Sequence, residues 1–467
     1  MNDPAYRPSR AVHELGSDFY DPVAAASFPQ HILRFRNDRH AATVGLAALS
    51  DDDWLAHFGR FEPLPRSLET PLALRYHGHQ FRTYNPDLGD GRGFLFAQLH
   101  DDRGRLLDLG TKGSGQTPWS RFGDGRLTLK GGMREVLATE MLEALGVDTS
   151  KSFSLIETGE ALTRGDEPSP TRSAVLVRLS HSHIRYGSFQ RLAYLKDNEG
   201  IERLTDYVLR HYVPGGAEAP DRYAALMEHA VTGAARLAAG FMAAGFVHGV
   251  LNTDNINITG ESFDYGPYRF APRYDPSFTA AYFDHSGLYA FGRQAEALHW
   301  NVHQLALALR TVAETDCLVP AFRDYPARFE AELRAAVLKR LGVVSKDEAS
   351  DLAVMQAMES ALEASGLPLD RFYFDWRGGR RRGESPAEAT YALPAFAIFV
   401  DRIASYEPAA DLSHPYWADA DPCALLIDEI ESIWAAIAER DDWALFHAKI
   451  AAIRRMGAAM TAKTGLS

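Results

Sequence analysis

Between Phe246 and Tyr268 the chain reads FVHGVLNTDNINITGESFDYGPY. This stretch brings His248, Asp254, Asn255 and Asp264 close together in sequence. The amide oxygen of Asn255 and the carboxylate of Asp264 are hard oxygen donors, the kind that a divalent metal takes when it is bound to a nucleotide's phosphates. Asp254 adds a carboxylate that could take the proton of an attacking hydroxyl. Taken singly, Asn255 suits a turn and Asp264 a cap. Together they point to transfer chemistry on a metal-bound nucleotide.

The layout resembles the catalytic loop of protein kinases. That loop has His-x-Asp with an Asn five positions after the Asp, and Asp-Phe-Gly further on. His248 and Asn255 keep the separation, and Asp264-Tyr265-Gly266 stands for the last motif. Val250 occupies the place of the usual base. Asp254 is the nearest carboxylate, and its position beside Asn255 would aim it at a different part of the nucleotide.

Several upstream elements would have to position this loop. Leu88-Gly89-Asp90-Gly91-Arg92-Gly93 precedes two apolar runs, 94–99 and 106–109, separated by a turn, and Lys112 follows. This predicts a glycine loop feeding a β-hairpin, with backbone N–H groups open to phosphate and a lysine at the end of the second strand. A loop rich in Gly, Ser and Thr spans 113–132 and contains Asp124-Gly125. Met133, Leu137, Met141 and Leu145 predict a helix over 133–145. Glu135 would lie in its first turn, either steadying the helix dipole or pairing with Lys112 as in kinases. A strand at 174–177 leads to Arg178 and Arg185, whose guanidinium groups could converge on one anion. His181 and His183 lack a third metal ligand and are expected to hydrogen-bond within the fold.

A helix over 223–246 would deliver the catalytic loop, and a hairpin of 256–259 with 262–263 would return Asp264 to Asn255. Leu298, Val302, Leu305 and Leu309 mark another core helix. Prolines break up residues 1–65, which are expected to wrap on the body, with a helix starting at Asp51-Asp52-Asp53. The last third has mainly helical patterning, as at 427–438 and 444–456. Its basic cluster at Arg377 and Arg380-Arg381-Arg382 is expected to be a solvated loop.

The 467 residues are 46% hydrophobic and 24% charged, with a net charge of −13. The acidic balance argues against nucleic acid or an anionic membrane as partner. Two cysteines, Cys317 and Cys423, cannot build a disulfide framework or a Cys-based zinc site. No signal peptide or spanning run is read in the chain, so a cytoplasmic location is expected.

Six ordered motifs resemble those of the selenoprotein O family of kinase-like protein adenylyltransferases. They are His77-Gly-His-Gln80, Leu88-Gly-Asp-Gly-Arg92, the run Gly110 to Arg121, Gly123-Asp-Gly-Arg126, Ser182-His-Ile-Arg-Tyr-Gly187, and His248 to Asn255 with Asp264-Tyr-Gly-Pro-Tyr268. They fall within residues 12–310. The resemblance implies an α+β, protein-kinase-like two-lobed fold with N- and C-terminal extensions. Residues 1–65 would be the first extension, 66–187 the N-lobe, and 188–467 a mostly helical C-lobe with the second extension.

It also implies that ATP binds flipped, so that AMP passes to a Ser, Thr or Tyr hydroxyl of a protein and pyrophosphate leaves. Gly89, Gly91, Arg92, Lys112, Asp124, Gly125, Arg178, Arg185 and Asp264 would contact ATP, and Glu135 would pair with Lys112. Asp254 would be the base, with Asn255 and Asp264 as ligands of Mg2+ or Mn2+. Many members carry a Cys or selenocysteine near the C-terminus, whereas this sequence ends AKTGLS and the 278–285 loop has no Cys. Disulfide gating by that route is not expected. Two other functions compete: a kinase moving the γ-phosphate, disfavoured by Val250, and a nucleotide-binding pseudokinase scaffold, disfavoured by the retained Asn255 and Asp264.

Overall fold

The computed structural model describes residues 3–165 and 167–461, so the cysteine-free tail 462–467 lies outside it. The chain forms a mixed α/β structure built on an antiparallel sheet. In spatial order the sheet runs Tyr20–Pro22, Leu72–Leu74, Leu95–His100, Leu106–Lys112, Thr171–Ser180, Lys151–Leu162 and Ile32–Arg36. Arg7–Ser9 also pairs with Leu95–His100, and Leu127–Thr128 pairs with Thr171–Ser180.

The glycine-loop hairpin forms as its pattern predicts, with Leu99 opposite Leu107 and Lys112 closing the second strand. Residues 1–65 do more than wrap the body, because they supply three strands of the sheet. Their prolines keep these strands to three to five residues. The expected helix runs Asp51–Phe58, capped by Ser50. Its Trp54 stacks on Phe153 at 4.9 Å and donates to Ser154 Oγ at 2.8 Å. Burial of this aromatic pair ties the N-terminal segment to the sheet.

Helix Leu129–Ala144 packs on the strands Lys151–Leu162 and Thr171–Ser180. It begins four residues earlier than the apolar stripe suggests, because Thr128 caps it by accepting from Gly131 N at 3.1 Å. Glu135 therefore sits in the second turn, so the helix-dipole role is set aside.

The helical part centres on Arg222–Ala244, which packs against Thr315–Leu341 and Gln294–Leu309. Asp221 caps its start through Tyr223 N and Ala224 N, both at 3.0 Å. Gly245, at φ 69°, ends it in the left-handed region that a side chain would strain. The short strand Phe246–His248 follows at once and pairs with Tyr268–Phe270. That pair cinches the two ends of the loop carrying Asp254, Asn255 and Asp264. The last helices, Ile427–Arg440 and Ala444–Thr461, are those predicted, and the second packs back on Leu129–Ala144.

Two further expectations fail. Residues 256–263 do not form a hairpin, because their backbone is engaged by distant chain. Tyr186 N donates to Ile256 O at 3.0 Å, Ile258 N to Ile184 O at 2.9 Å, and Ser262 N to Asp148 O at 3.0 Å. Nor is the basic cluster a solvated loop. Arg377 is buried and donates to Lys339 O at 2.6 Å and Arg340 O at 2.8 Å, capping the end of helix Thr315–Leu341. Arg382 donates to Phe374 O at 2.7 Å and lies over the Phe374 ring. Among the described residues, no helix is long and apolar enough to cross a membrane.

Candidate active site

A cavity of about 630 Å³ opens between the glycine loop, the 117–126 turn and the catalytic loop. Gly89, Gly91, Arg92, Lys112, Asp124, Gly125, Arg178, Arg185, Asp254 and Asp264 all line it. Glu135 stands behind Lys112, and Asn255 lies beside Asp254 on the same short turn, Thr253–Asn255.

Lys112 is buried and bonds both Glu135 Oε1 and Asp264 Oδ1. Arg178, also buried, is 3.6 Å from Asp264 Oδ1 and 3.9 Å from Glu135 Oε2. Burial opposes a charge on Asp264, but Lys112, Arg178, Arg92 and Arg185 override it and hold its pKa well below the usual carboxylate value. The Asp264 backbone sits at φ 65°, an unusual conformation for a residue with a side chain.

Arg185 caps helix Tyr186–Leu195 and is buried between Tyr76 and Phe263. It donates to Asp90 Oδ1 at 3.1 Å and to the Asp254 carbonyl at 2.8 Å. Asp90 is fixed in turn by Leu74 N at 3.0 Å. Yet Nε of Arg185, and Nε and Nη1 of Arg178, have no hydrogen-bond partner among the described residues. Buried donors left unpaired are costly, and a bound anion would satisfy them.

Asp254 has the opposite environment. Its side chain is buried, its Oδ1 is unpartnered, and desolvation raises its pKa to about 7 despite Arg185 nearby. The neighbouring backbone is firmly held. Thr253 Oγ1 accepts from His79 N at 2.7 Å and donates to Gln190 Oε1 at 2.6 Å, while Asn252 Oδ1 accepts from Phe81 N at 3.0 Å and from the Tyr289 hydroxyl at 2.7 Å. A carboxyl group so placed, with a pKa near neutrality, can serve as a general base.

Asn255 donates Nδ2 to the Val250 carbonyl at 3.0 Å, leaving its amide oxygen as the available ligand atom. Lys112 and Arg178 both approach Oδ1 of Asp264, which leaves Oδ2 for a further partner. An amide oxygen and a carboxylate suit Mg2+ or Mn2+. Among the described residues no group of three or more His, Cys, Asp or Glu is placed to hold a metal. Two oxygen donors of this kind would fit a hard divalent ion that takes its remaining ligands from water and phosphate.

The glycines serve packing as well as access. A Cβ at Gly89 would run into the Trp119 ring, and one at Gly91 would stand 2.9 Å from the Trp119 carbonyl. Asp124 is bonded by Arg164 at 2.8 Å and 3.1 Å. The His183 ring meets Asp108 Oδ2 through Nδ1 at 3.3 Å, as expected, whereas the His181 ring packs edge-on against Tyr212 at 5.5 Å and only its backbone N donates, to Glu261 Oε1 at 2.8 Å.

Sequence reasoning left out Asp90, Arg121, Trp119 and Tyr76 as site residues, although all line the cavity. Asp90 lies inside the glycine motif and Arg121 ends the motif that starts at Gly110, so their signal was position within a motif. Tyr76 carried no such mark.

A family model described as protein adenylyltransferase SelO matches residues 5–454. The protein nucleotidyltransferase YdiU of Gloeobacter violaceus is 45% identical over 466 residues, spanning 96% of this chain and 95% of the relative. Those of a Synechocystis species and of Trichormus variabilis are 44% and 42% identical over 465 and 473 residues. They cover 95% and 97% of this chain, and 96% of each relative. With a family match over nearly its whole length and relatives this similar, the chain belongs to the SelO family of protein adenylyltransferases.

Proposed function

We propose that the chain transfers AMP from metal-bound ATP to a Ser, Thr or Tyr hydroxyl of a protein, releasing pyrophosphate. The observation that carries this reading is one cavity that combines unpaired, buried guanidinium N–H groups on Arg178 and Arg185 with a buried, unpartnered oxygen on Asp254. The first set suits an anionic leaving group and the second a proton acceptor.

In this reading residues 66–187 and 188–467 form the two lobes of a protein-kinase-like fold, with 1–65 as an N-terminal extension. ATP lies in the cavity with its α-phosphate toward Asp254, against Gly89, Gly91, Asp124 and Gly125. The acceptor oxygen bonds to the α-phosphorus while the bond from that phosphorus to the pyrophosphate oxygen breaks. The hydroxyl proton passes to Asp254. Arg92, Lys112, Arg178 and Arg185 take up the charge gathering on pyrophosphate, and Glu135 keeps Lys112 in place. Asn255 and Asp264 would hold Mg2+ or Mn2+, which neutralises phosphate charge when bound. The net charge of −13 suits ATP and protein partners over nucleic acid, and the protein is read as cytoplasmic.

The test is incubation with divalent metal and ATP labelled at either the α or the γ position. Protein-bound label from the α position alone is expected. Label from the γ position alone overturns the reading in favour of a kinase. ATP binding with no transfer of either label overturns it in favour of a scaffold.

A further inference from the structure

Beside the cavity lies a run of aromatic side chains that the nucleotide chemistry does not use. Tyr282 is 82% exposed and Phe283 41% exposed, unusual for neighbouring large aromatics. Their rings meet edge to face at 5.1 Å. Phe283 packs on Phe81 at 5.8 Å, and Phe81 on Tyr289 at 5.0 Å. The patch is tied to the catalytic loop, since Phe81 N and the Tyr289 hydroxyl both bond Asn252, two residues before Asp254. Phe81 also directly follows Gln80, which lines the cavity.

The backbone aims Phe81 at some cost. Phe81 and Arg82 have φ of 48° and 64°, two consecutive side-chain-bearing residues in the left-handed region. The charged side chains around the patch are engaged with neighbours. Arg82 and Arg293 both pair with Glu296 at 3.1 Å, and Asp284 accepts from Leu288 N and Tyr289 N at 2.8 Å. Among the described residues these charges have partners beside the rings, and the exposed rings themselves are apolar, so the surface favours an apolar neighbour.

We propose that Phe81, Tyr282 and Phe283 form the docking surface for the acceptor segment of the protein substrate, and that they select a segment with an aromatic or large aliphatic residue near the hydroxyl. The inference rests on the AMP-transfer reading and specifies its second substrate. A segment presenting its hydroxyl to Asp254 must come close to the 252–254 loop, and the exposed rings are the apolar surface attached to that loop. Large aromatic anchors of this kind dominate the energetics of protein recognition.

The experiment uses the full chain, Mg2+ or Mn2+, α-labelled ATP and a library of Ser, Thr and Tyr peptides whose flanking residues are Phe, Leu, Ala, Asp or Lys. Wild type is expected to label Phe- and Leu-flanked peptides in preference to the rest. Tyr282→Ala with Phe283→Ala is expected to raise KM for those peptides about tenfold, while KM for ATP and the melting temperature stay the same. Tyr282→Lys, at a site too exposed to unfold the protein, is expected to shift preference toward Asp-flanked peptides. Wild-type labelling without flank preference, or an unchanged preference in the variants, overturns this inference alone. Label arriving only from γ-labelled ATP overturns the transfer reading and this inference with it.

Discussion

Gly78 lies directly against the Asp254 side chain. A Cβ at residue 78 would stand 2.9 Å from Asp254 Cβ and 3.0 Å from Oδ1. From the same side, Gly187 leaves room for the His77 carbonyl, which a Cβ there would strike. The His77-Gly-His-Gln80 motif thus reads as a mould for the proposed base: His79 N holds Thr253, Phe81 N holds Asn252, and Gly78 provides the space between. Gly78→Ala is expected to displace the Asp254 carboxylate and lower kcat for transfer by about a hundredfold, the scale of a roughly 1 Å misplacement of a catalytic group. ATP affinity measured by calorimetry should hold, and a kcat within about twofold of wild type would rule out the positioning role.

Burial keeps Asp254 protonated up to about pH 7, outweighing the nearby Arg185. A base works only when deprotonated, so kcat/KM for transfer should rise with pH and reach half its maximum near 7. The effect on stability has the opposite sign. The folded protein keeps this proton after the unfolded chain, with an ordinary value of 3.8, has lost it. Folding stability from this group therefore falls as pH rises from about 4 to about 7, by a few kcal/mol at most. Asp254→Asn should abolish transfer yet raise the melting temperature relative to wild type, more so above pH 7 than near pH 4. An equal melting difference at both pH values would contradict the burial argument.

What could be read in the sequence was what depends on nearby residues. The Leu106–Lys112 strand, the Gly245 stop and the Leu298–Leu309 stripe follow from alternation, helical period and a left-handed cap, each local. The start of the Glu135 helix was missed because Gly131 and Gly132 resemble loop, while the Thr128 cap lies before them. Residues 256–263 were misread for a different reason. Their backbone partners, Ile184 and Asp148, are more than seventy positions away, and no short-range pattern encodes them. Arg377 failed likewise, because the carbonyls it caps end a helix over thirty residues upstream. Within the site, Lys112 and Asp264 could be identified as types, but the bond between them, across 152 residues, is a product of the fold.

That bond should make stability depend on Lys112. Lys112→Met would leave Glu135 and Asp264 facing one another without the cation that bonds both. Breaking a buried ion pair in this way costs about 3–5 kcal/mol. Arg178, within 4.0 Å of both carboxylates, should offset part of the loss. Denaturant melts should show a fall in this range, together with loss of transfer. Glu135→Gln keeps a hydrogen-bond partner for the lysine and should cost less of both. A Lys112→Met protein as stable as wild type would mean that the carboxylates take up protons or separate without penalty.

Removing divalent metal with a chelator should stop transfer reversibly, and Asp264→Ala should stop it even at saturating Mg2+ or Mn2+. Full activity in that variant would refute Asp264 as a ligand. The loss must be distinguished from the freeing of Lys112, and Asp264→Asn does so because it keeps an oxygen for the lysine while weakening the metal site. Its activity should recover in part as metal concentration rises, whereas Asp264→Ala should not recover.

The cations around the cavity divide into committed and free. Arg126 is bonded to Glu160 at 2.8 Å and 3.0 Å, and Arg164 to Asp124. Arg92 and Arg121 line the cavity without a carboxylate partner among the described residues. Their charges reach the two acids of the site: Arg92 helps lower the pKa of Asp264, and Arg121 opposes the rise at Asp254. Free guanidinium groups suit phosphates, and a charged hydrogen bond is worth about 1.5–3 kcal/mol. Arg92→Ala and Arg121→Ala should each weaken ATP binding by about tenfold to a hundredfold and weaken AMP binding much less, because the charge they meet lies on the departing phosphates. Arg126→Ala, which removes a residue already paired, should change the ratio of ATP to AMP affinity little. Calorimetric titration of both nucleotides against the three variants decides the matter, and an equal loss for ATP and AMP would move these arginines from the phosphates to the nucleoside.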